Sequence, residues 1–273
     1  MQGYRPPSPG AIPMIVKNLL LLNVIMFIAT WLMQRSGIDL NSFLGLYYYE
    51  SEHFRWYQYI THMFMHGGLT HIFFNMFALW MFGRVLESVW GPKRFLFYYF
   101  VTGLGAAALH TFANWYSISD IQQAAIAFGN TPSPELFSNF IKEYIPNPNP
   151  KIYDFIASWS MDADNNEYIR QAIYLAQSAV DMKLNIPTVG ASGAVFGVLL
   201  AFGMLFPNTQ LMLLFPPIPI KAKYFVIFYG VLELYLGVMQ QPGDNVAHFA
   251  HLGGMLFGFI LIKYWNSNKQ NFY

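Results

Sequence analysis

Long apolar stretches separated by polar segments dominate this chain. Six are long enough to span, or nearly span, a bilayer: Met14–Met33, Thr61–Phe82, Phe95–Ala113, Val189–Phe206, Tyr224–Gln240 and Val246–Trp265. Lipid offers no partner to free backbone groups, so each is predicted to be a helix. Between the third and fourth lies a polar segment, residues 114–187. It contains Asn147-Pro148-Asn149-Pro150 and the run Asp162-Ala163-Asp164-Asn165-Asn166. Glu167 to Lys183 places Ile169, Ile173, Leu175 and Val180 among polar residues, the pattern of an amphipathic helix. The expected architecture is all-α. It is a single polytopic membrane domain over residues 1–273, with an outer, partly helical insert over 114–187.

Composition strengthens that reading. Of 273 residues, 55% are hydrophobic, 19% aromatic and only 11% charged, whereas a soluble domain carries about a quarter charged residues. One water-soluble core cannot hide that much apolar surface. The net charge of +1 points to no nucleic acid, and the lipid bilayer is the expected surrounding. Cysteine is absent, which excludes disulfides, thiol nucleophiles and cysteine-held metals. Met1 to Pro13 is polar and proline-rich and lacks the order of a cleaved signal peptide, so the first apolar stretch is expected to be retained.

Charge placement predicts orientation. With the N-terminus inside, the inner segments carry Arg5, Lys17, Arg84, Lys93, Arg94, Lys221, Lys223, Lys263 and Lys269, with Glu87 as their only acid. Both termini are therefore expected to be cytoplasmic, in the plasma (inner) membrane if the source is bacterial.

Three segments carry candidate chemistry. The fourth span opens Gly190-Ala191-Ser192-Gly193, with Phe196 and Gly197 following. Gly193 and Gly197 suit close helix packing, and small neighbours also let a substrate backbone reach a serine. A helix start leaves free N–H groups for an oxyanion. The sixth span contains His248 and His251, then Gly254 and Gly258. A histidine inside an apolar helix is expensive and points to function. Two glycine-faced helices packed closely would bring a histidine to Ser192 as general base and then general acid. In the second span His71 and Asn75 are four apart and share a helix face, as oxyanion-hole donors would. Glu233 and Asp244 have no spacing that demands contact with His251. Glu233 is read as a structural carboxyl near the outer surface, and a two-residue catalytic pair is expected.

Together these pieces resemble the rhomboid family of intramembrane serine proteases. The resemblance rests on Gly190-Ala191-Ser192-Gly193, on Ala250-His251-Leu252-Gly253-Gly254 through Gly258, on His71 with Asn75, and on Asn75 through Gly83 followed by Glu87, Trp90 and Gly91. It implies a six-transmembrane-helix bundle that hydrolyses peptide bonds in or near transmembrane segments of protein substrates. It also implies Ser192 as nucleophile, His251 as base and His248 as accessory. The oxyanion hole would be formed by His71, Asn75 and the backbone N–H groups of Ala191 and Ser192. Phe196 would lie under the histidine ring, and His66 would be structural. The family's first outer loop often has a Trp-Arg pair; here the stretch is Trp56-Tyr57-Gln58.

No cofactor is expected. Two rivals stand beside the protease reading. One is a rhomboid-like pseudoprotease that binds membrane proteins without cutting them. The other is a metal-dependent transporter or protease built on His62 with His66, or His248 with His251. The zinc-protease motif needs a Glu after its first histidine, and Met63 stands there.

Overall fold

The computed structural model describes residues 12–212, 217–239 and 246–267. Arg5, Gln240, Asp244 and Lys269, named above, lie outside them. The helices α1 (Met14–Gln34), α2 (Leu40–Leu44) and α3 (Gln58–Thr61) lead into a 3-10 turn, His62–Phe64. Next, α4 (Leu69–Ala78) passes through a π-helical turn, Leu79–Gly83, into α5 (Arg84–Trp90). The longest helix is α6 (Pro92–Asn130), followed by α7 (Pro134–Tyr144), α8 (Lys151–Met161) and α9 (Asn166–Leu184). Last come α10 (Ser192–Leu205), the strands β1 (Gln210–Met212) and β2 (Pro219–Lys221), α11 (Ala222–Met239) and α12 (His248–Ser267).

Among the described residues, four helical stretches are long and apolar enough to cross a membrane: Met14–Gln34, Leu69–Trp90, Pro92–Asn130 and Ala222–Met239. The chain is thus a helical membrane bundle. Helix α10 is apolar but has only 14 residues, a length of about 21 Å against about 30 Å of hydrocarbon. It can be short because protein surrounds it. Val195, Val198, Leu199 and Phe202, along with its glycines, are buried, so most of its length meets other segments of the chain rather than lipid.

Several boundaries differ from the sequence expectation. The second span starts at Leu69, not Thr61, because Gly67 and Gly68 interrupt the helix before it. The third does not stop near Ala113. No glycine or proline occurs between Ala106 and Phe128, and the helix runs on to Asn130. The polar segment therefore begins as a continuation of α6. Its end packs with α7, α8 and α9 around a second core that includes Phe128, Phe137, Phe140 and Trp159. Ser133 caps α7 by accepting from Leu136 N, with Pro134 in its first turn, and Asn165 caps α9 by accepting from Glu167 N. The buried face of α9 is Ala172, Ala176, Ala179 and Val180, while Ile173 is exposed. Pro219 lies in β2, opposite Met212.

The first core is built on α6, α10 and α12, and small residues set its spacing. A Cβ on Gly193 would overlap Ala106, one on Gly197 would overlap Thr102, and one on Gly258 would overlap the Tyr98 hydroxyl. Helix α1 is more peripheral, with Leu21, Val24, Ile25, Ile28 and Trp31 exposed as a lipid-facing surface would be. It is anchored at its start. Buried Glu87 accepts from the backbone N–H groups of Ile15 (2.9 Å) and Val16 (2.8 Å), capping α1 from another helix. Replacing Glu87 with alanine strands both donors. Hydrogen bonds to a charged group are worth about 1.5–3 kcal/mol each. Glu87→Ala is expected to lower the unfolding temperature in detergent by several degrees, with Glu87→Gln in between, as read by differential scanning fluorimetry.

Candidate active site

Ser192 begins α10, and the chain before it is tied down. Leu46 and Thr188 exchange backbone hydrogen bonds of 2.9 and 2.8 Å, and Gly190 N–H donates to the His62 carbonyl at 2.9 Å. The loop that carries these partners is itself organised by buried Gln58. Its Oε1 accepts from Arg55 N, and its Nε2 donates to the carbonyls of Phe43 and His53. Gly190 has φ 132°, which glycine alone adopts readily. A Cβ there would come within 2.8 Å of the His71 ring and 3.5 Å of Ser192 Oγ. The turn into α10 thus places Ser192 beside His71.

His251 comes from α12. Gly254, one turn later, faces the Gly193 carbonyl so closely that a Cβ would overlap it. That backbone approach brings His251 Nε2 to 2.8 Å from Ser192 Oγ. Phe196, one turn beyond Ser192, stacks flat on the His251 ring, with centroids 4.1 Å apart and planes 6° apart. Serine, histidine and aromatic are therefore brought together from two helices. Of the four glycines expected to join these helices, Gly193 and Gly254 meet each other; Gly197 and Gly258 face α6 instead.

His71 and Asn75 sit on one face of α4. His71 is half-buried and Asn75 buried, and Asn75 Nδ2 donates to the His71 carbonyl at 2.9 Å. Buried His66 supports His71 edge-on, with ring centroids 5.1 Å apart. At the start of α10 the first four N–H groups, at Ala191 through Ala194, have no partner within the helix; Val195 N is the first to bond back, to Ala191 O at 3.0 Å. A small cavity beside Ser192, lined in part by His62, His110, Thr188 and Gly190, has polar groups on its wall. His110 had no place in the sequence reading; its Nε2 lies 2.8 Å from Thr188 Oγ1.

Spacing along the chain did not say where Glu233 falls, and it lies against both histidines. Its Oε2 lies 2.6 Å from His248 Nδ1 and 2.8 Å from His251 Nδ1, and all three residues are buried. The contact joins α11 to α12 across 15 and 18 positions of sequence, a separation with no periodic signature. Among the described residues, these three also form a group whose ligand atoms lie within 4.8 Å of one another, close enough to share a metal ion. His62 and His66 are not part of it; His62 Nδ1 bonds to the Gln58 carbonyl at 2.7 Å.

A serine at the start of a buried helix, hydrogen-bonded to a histidine on the next glycine-packed helix, defines a polytopic helical membrane protein with a candidate serine-hydrolase site. The chain belongs to the rhomboid family: the family model described as Rhomboid domain matches residues 53–129 and 156–267. An uncharacterized mitochondrial rhomboid protein of Schizosaccharomyces pombe is 28% identical over 211 residues, covering 76% of this chain and 49% of that protein. Rhomboid protease AarA of Providencia stuartii is 34% identical over 65 residues, 24% of this chain and 23% of that protein. Rhomboid protease GluP of Bacillus subtilis is 35% identical over 63 residues, 23% of this chain and 12% of that protein. The alignment with the yeast relative thus spans about half of that protein's length.

The Gly193–Gly254 contact is directly testable. Overpacking costs about 1–3 kcal/mol, so Gly254→Ala is expected to lower the unfolding temperature in detergent. Gly68→Ala, where a Cβ meets nothing within 4 Å, is expected to leave it unchanged.

Proposed function

We propose that this protein is an intramembrane serine endopeptidase that cuts other membrane proteins in or near their transmembrane segments. The observation that carries the reading is the 2.8 Å contact between Ser192 Oγ and His251 Nε2, held by the Phe196 stack. Membership of a family that includes proteins named as proteases supports it.

The chemistry follows from the geometry. Ser192 Oγ attacks the scissile carbonyl carbon while His251 Nε2 takes the hydroxyl proton. Negative charge then develops on the carbonyl oxygen. Backbone N–H groups at Ala191 and Ser192, with the side chains of His71 and Asn75, would donate to it. The tetrahedral intermediate collapses as His251 hands the proton to the leaving amine. Water then attacks the acyl-serine, giving its proton to His251, and the second collapse frees the new carboxyl end and restores the Ser192 hydroxyl. Hydrocarbon cannot supply that water. The small cavity beside Ser192, whose wall includes His62, His110 and Thr188, is where such water would enter.

In this reading six helices cross the membrane: α1, α4 with α5, the first half of α6, α10, α11 and α12. The 39 residues of α6 extend about 58 Å, nearly twice the hydrocarbon thickness. Its second half, with α7, α8 and α9, therefore stands outside the bilayer on the Ser192 side as the extramembrane part of one domain. Both termini would face the cytoplasm, in the plasma (inner) membrane if the source is bacterial; the relative from Schizosaccharomyces pombe is named as mitochondrial.

The test is cleavage of a generic transmembrane substrate by purified protein, paired with fluorophosphonate labelling. Ser192→Ala is expected to abolish both. His251→Ala is expected to lower cleavage at least 10²- to 10⁴-fold, the usual worth of general acid–base catalysis. Asn75→Ala and His71→Ala are expected to lower kcat, by about 10²- to 10³-fold for a strong oxyanion donor. Folded protein that neither cleaves nor labels would make the chain a binding protein instead.

A further inference from the structure

We propose that Glu233 is a positioning residue for His251, so that the site works as a Ser192–His251–Glu233 triad in which Glu233 orients the base, with His248 sharing the same carboxylate. The inference rests on the protease reading above and deepens it.

The argument starts from a single oxygen. Glu233 Oε2 lies 2.8 Å from His251 Nδ1 and 2.6 Å from His248 Nδ1. A carboxylate only accepts hydrogen bonds, so each Nδ1 carries its proton. For His251 that fixes the tautomer. Its proton sits on Nδ1, and the lone pair on Nε2 faces Ser192 Oγ, as a general base requires. Phe196 cannot do this. A flat ring stack sets the plane of the imidazole but does not distinguish its two nitrogens, nor resist rotation within the plane. The carboxylate does both, and it also faces the positive charge that His251 acquires when it takes the serine proton.

Burial explains why two histidines are present. An isolated carboxylate in an apolar bundle is costly, and a second donor offsets its lost hydration. His248 supplies that donor without touching the serine. Placement adds a consequence. Helix α11 buries only Ala222, Val226, Glu233 and Gly237 among its described residues. The acid that orients the base thus stands on a lightly held peripheral helix. The base is oriented only while α11 is docked against α12.

A carboxyl that merely glued α11 to α12 would change stability and leave turnover alone. The deciding experiment compares wild type, Glu233→Gln, Glu233→Asp and Glu233→Leu as purified full-length protein in detergent. It measures kcat, KM, fluorophosphonate labelling rate and unfolding temperature, with and without a metal chelator. Glu233→Gln is expected to keep KM within about threefold and to lower kcat and labelling together by about 10²- to 10⁴-fold, the loss seen when a histidine-orienting acid becomes an amide. Glu233→Asp is expected to recover part of that loss, Glu233→Leu none of it, and chelator is expected to change nothing in wild type. Wild-type kcat in Glu233→Gln would overturn the proposal while leaving the protease reading intact. So would a change confined to unfolding temperature or KM. Loss of wild-type activity in chelator would assign the three residues to a metal ion instead. A silent wild type would remove the protease reading and this proposal with it.

Discussion

Gly254 of α12 rests on the carbonyl of Gly193 in α10, and neither position has room for a side chain. The site depends on that backbone contact. Helices that carry ordinary side chains at their interface keep their axes 8–10 Å apart. Small residues let them come closer, and a histidine one turn from the contact then reaches a serine one residue from it. The same economy of space recurs where Gly253 meets Ala106 and where Gly258 meets Tyr98. Close approach is also what van der Waals packing needs, because the hydrophobic effect gives little drive between helices already in lipid.

A second constraint is the demand that buried polar groups find partners. Glu87 satisfies the exposed N–H groups at the start of α1. Tyr98 donates to the Gly197 carbonyl at 2.8 Å, tying α6 to α10. Asn23 and Thr30 bond back within α1, to the carbonyls of Leu19 and Met26. Glu233 meets two histidines. In water such groups are inexpensive; in an apolar bundle those that bond across helices, as Glu87, Tyr98 and Glu233 do, each fix a neighbour. They therefore set rotation and register where apolar packing alone would tolerate slippage.

The two cores divide the labour. The membrane core is built around α10, the helix that begins with Ser192, and the second core, at the far end of α6, holds α7, α8 and α9 together. The family model leaves residues 130–155 unmatched between its two segments, which is where α7 and the start of α8 lie. Since α6 is one unbroken helix, the second core is joined to the first by a rigid rod rather than a loose linker.

The sequence by itself determined the apolar stretches, the glycine faces, and Ser192, His251, His71 and Asn75 as candidates. Each of these is a local property: a run length, a four-residue spacing, or a costly polar residue in an apolar run. Helix starts were less legible. The glycines before Leu69 and the unbroken run through Asn114 act through backbone continuity, which hydropathy does not measure. Only the tertiary structure decided that Glu233 meets His251 and that Gly197 and Gly258 turn toward α6. Those facts depend on how far each helix is rotated and where it crosses its neighbours. Glu233 and His251 are 18 positions apart on different helices, and no periodicity along the chain encodes the angle that brings them within hydrogen-bond reach.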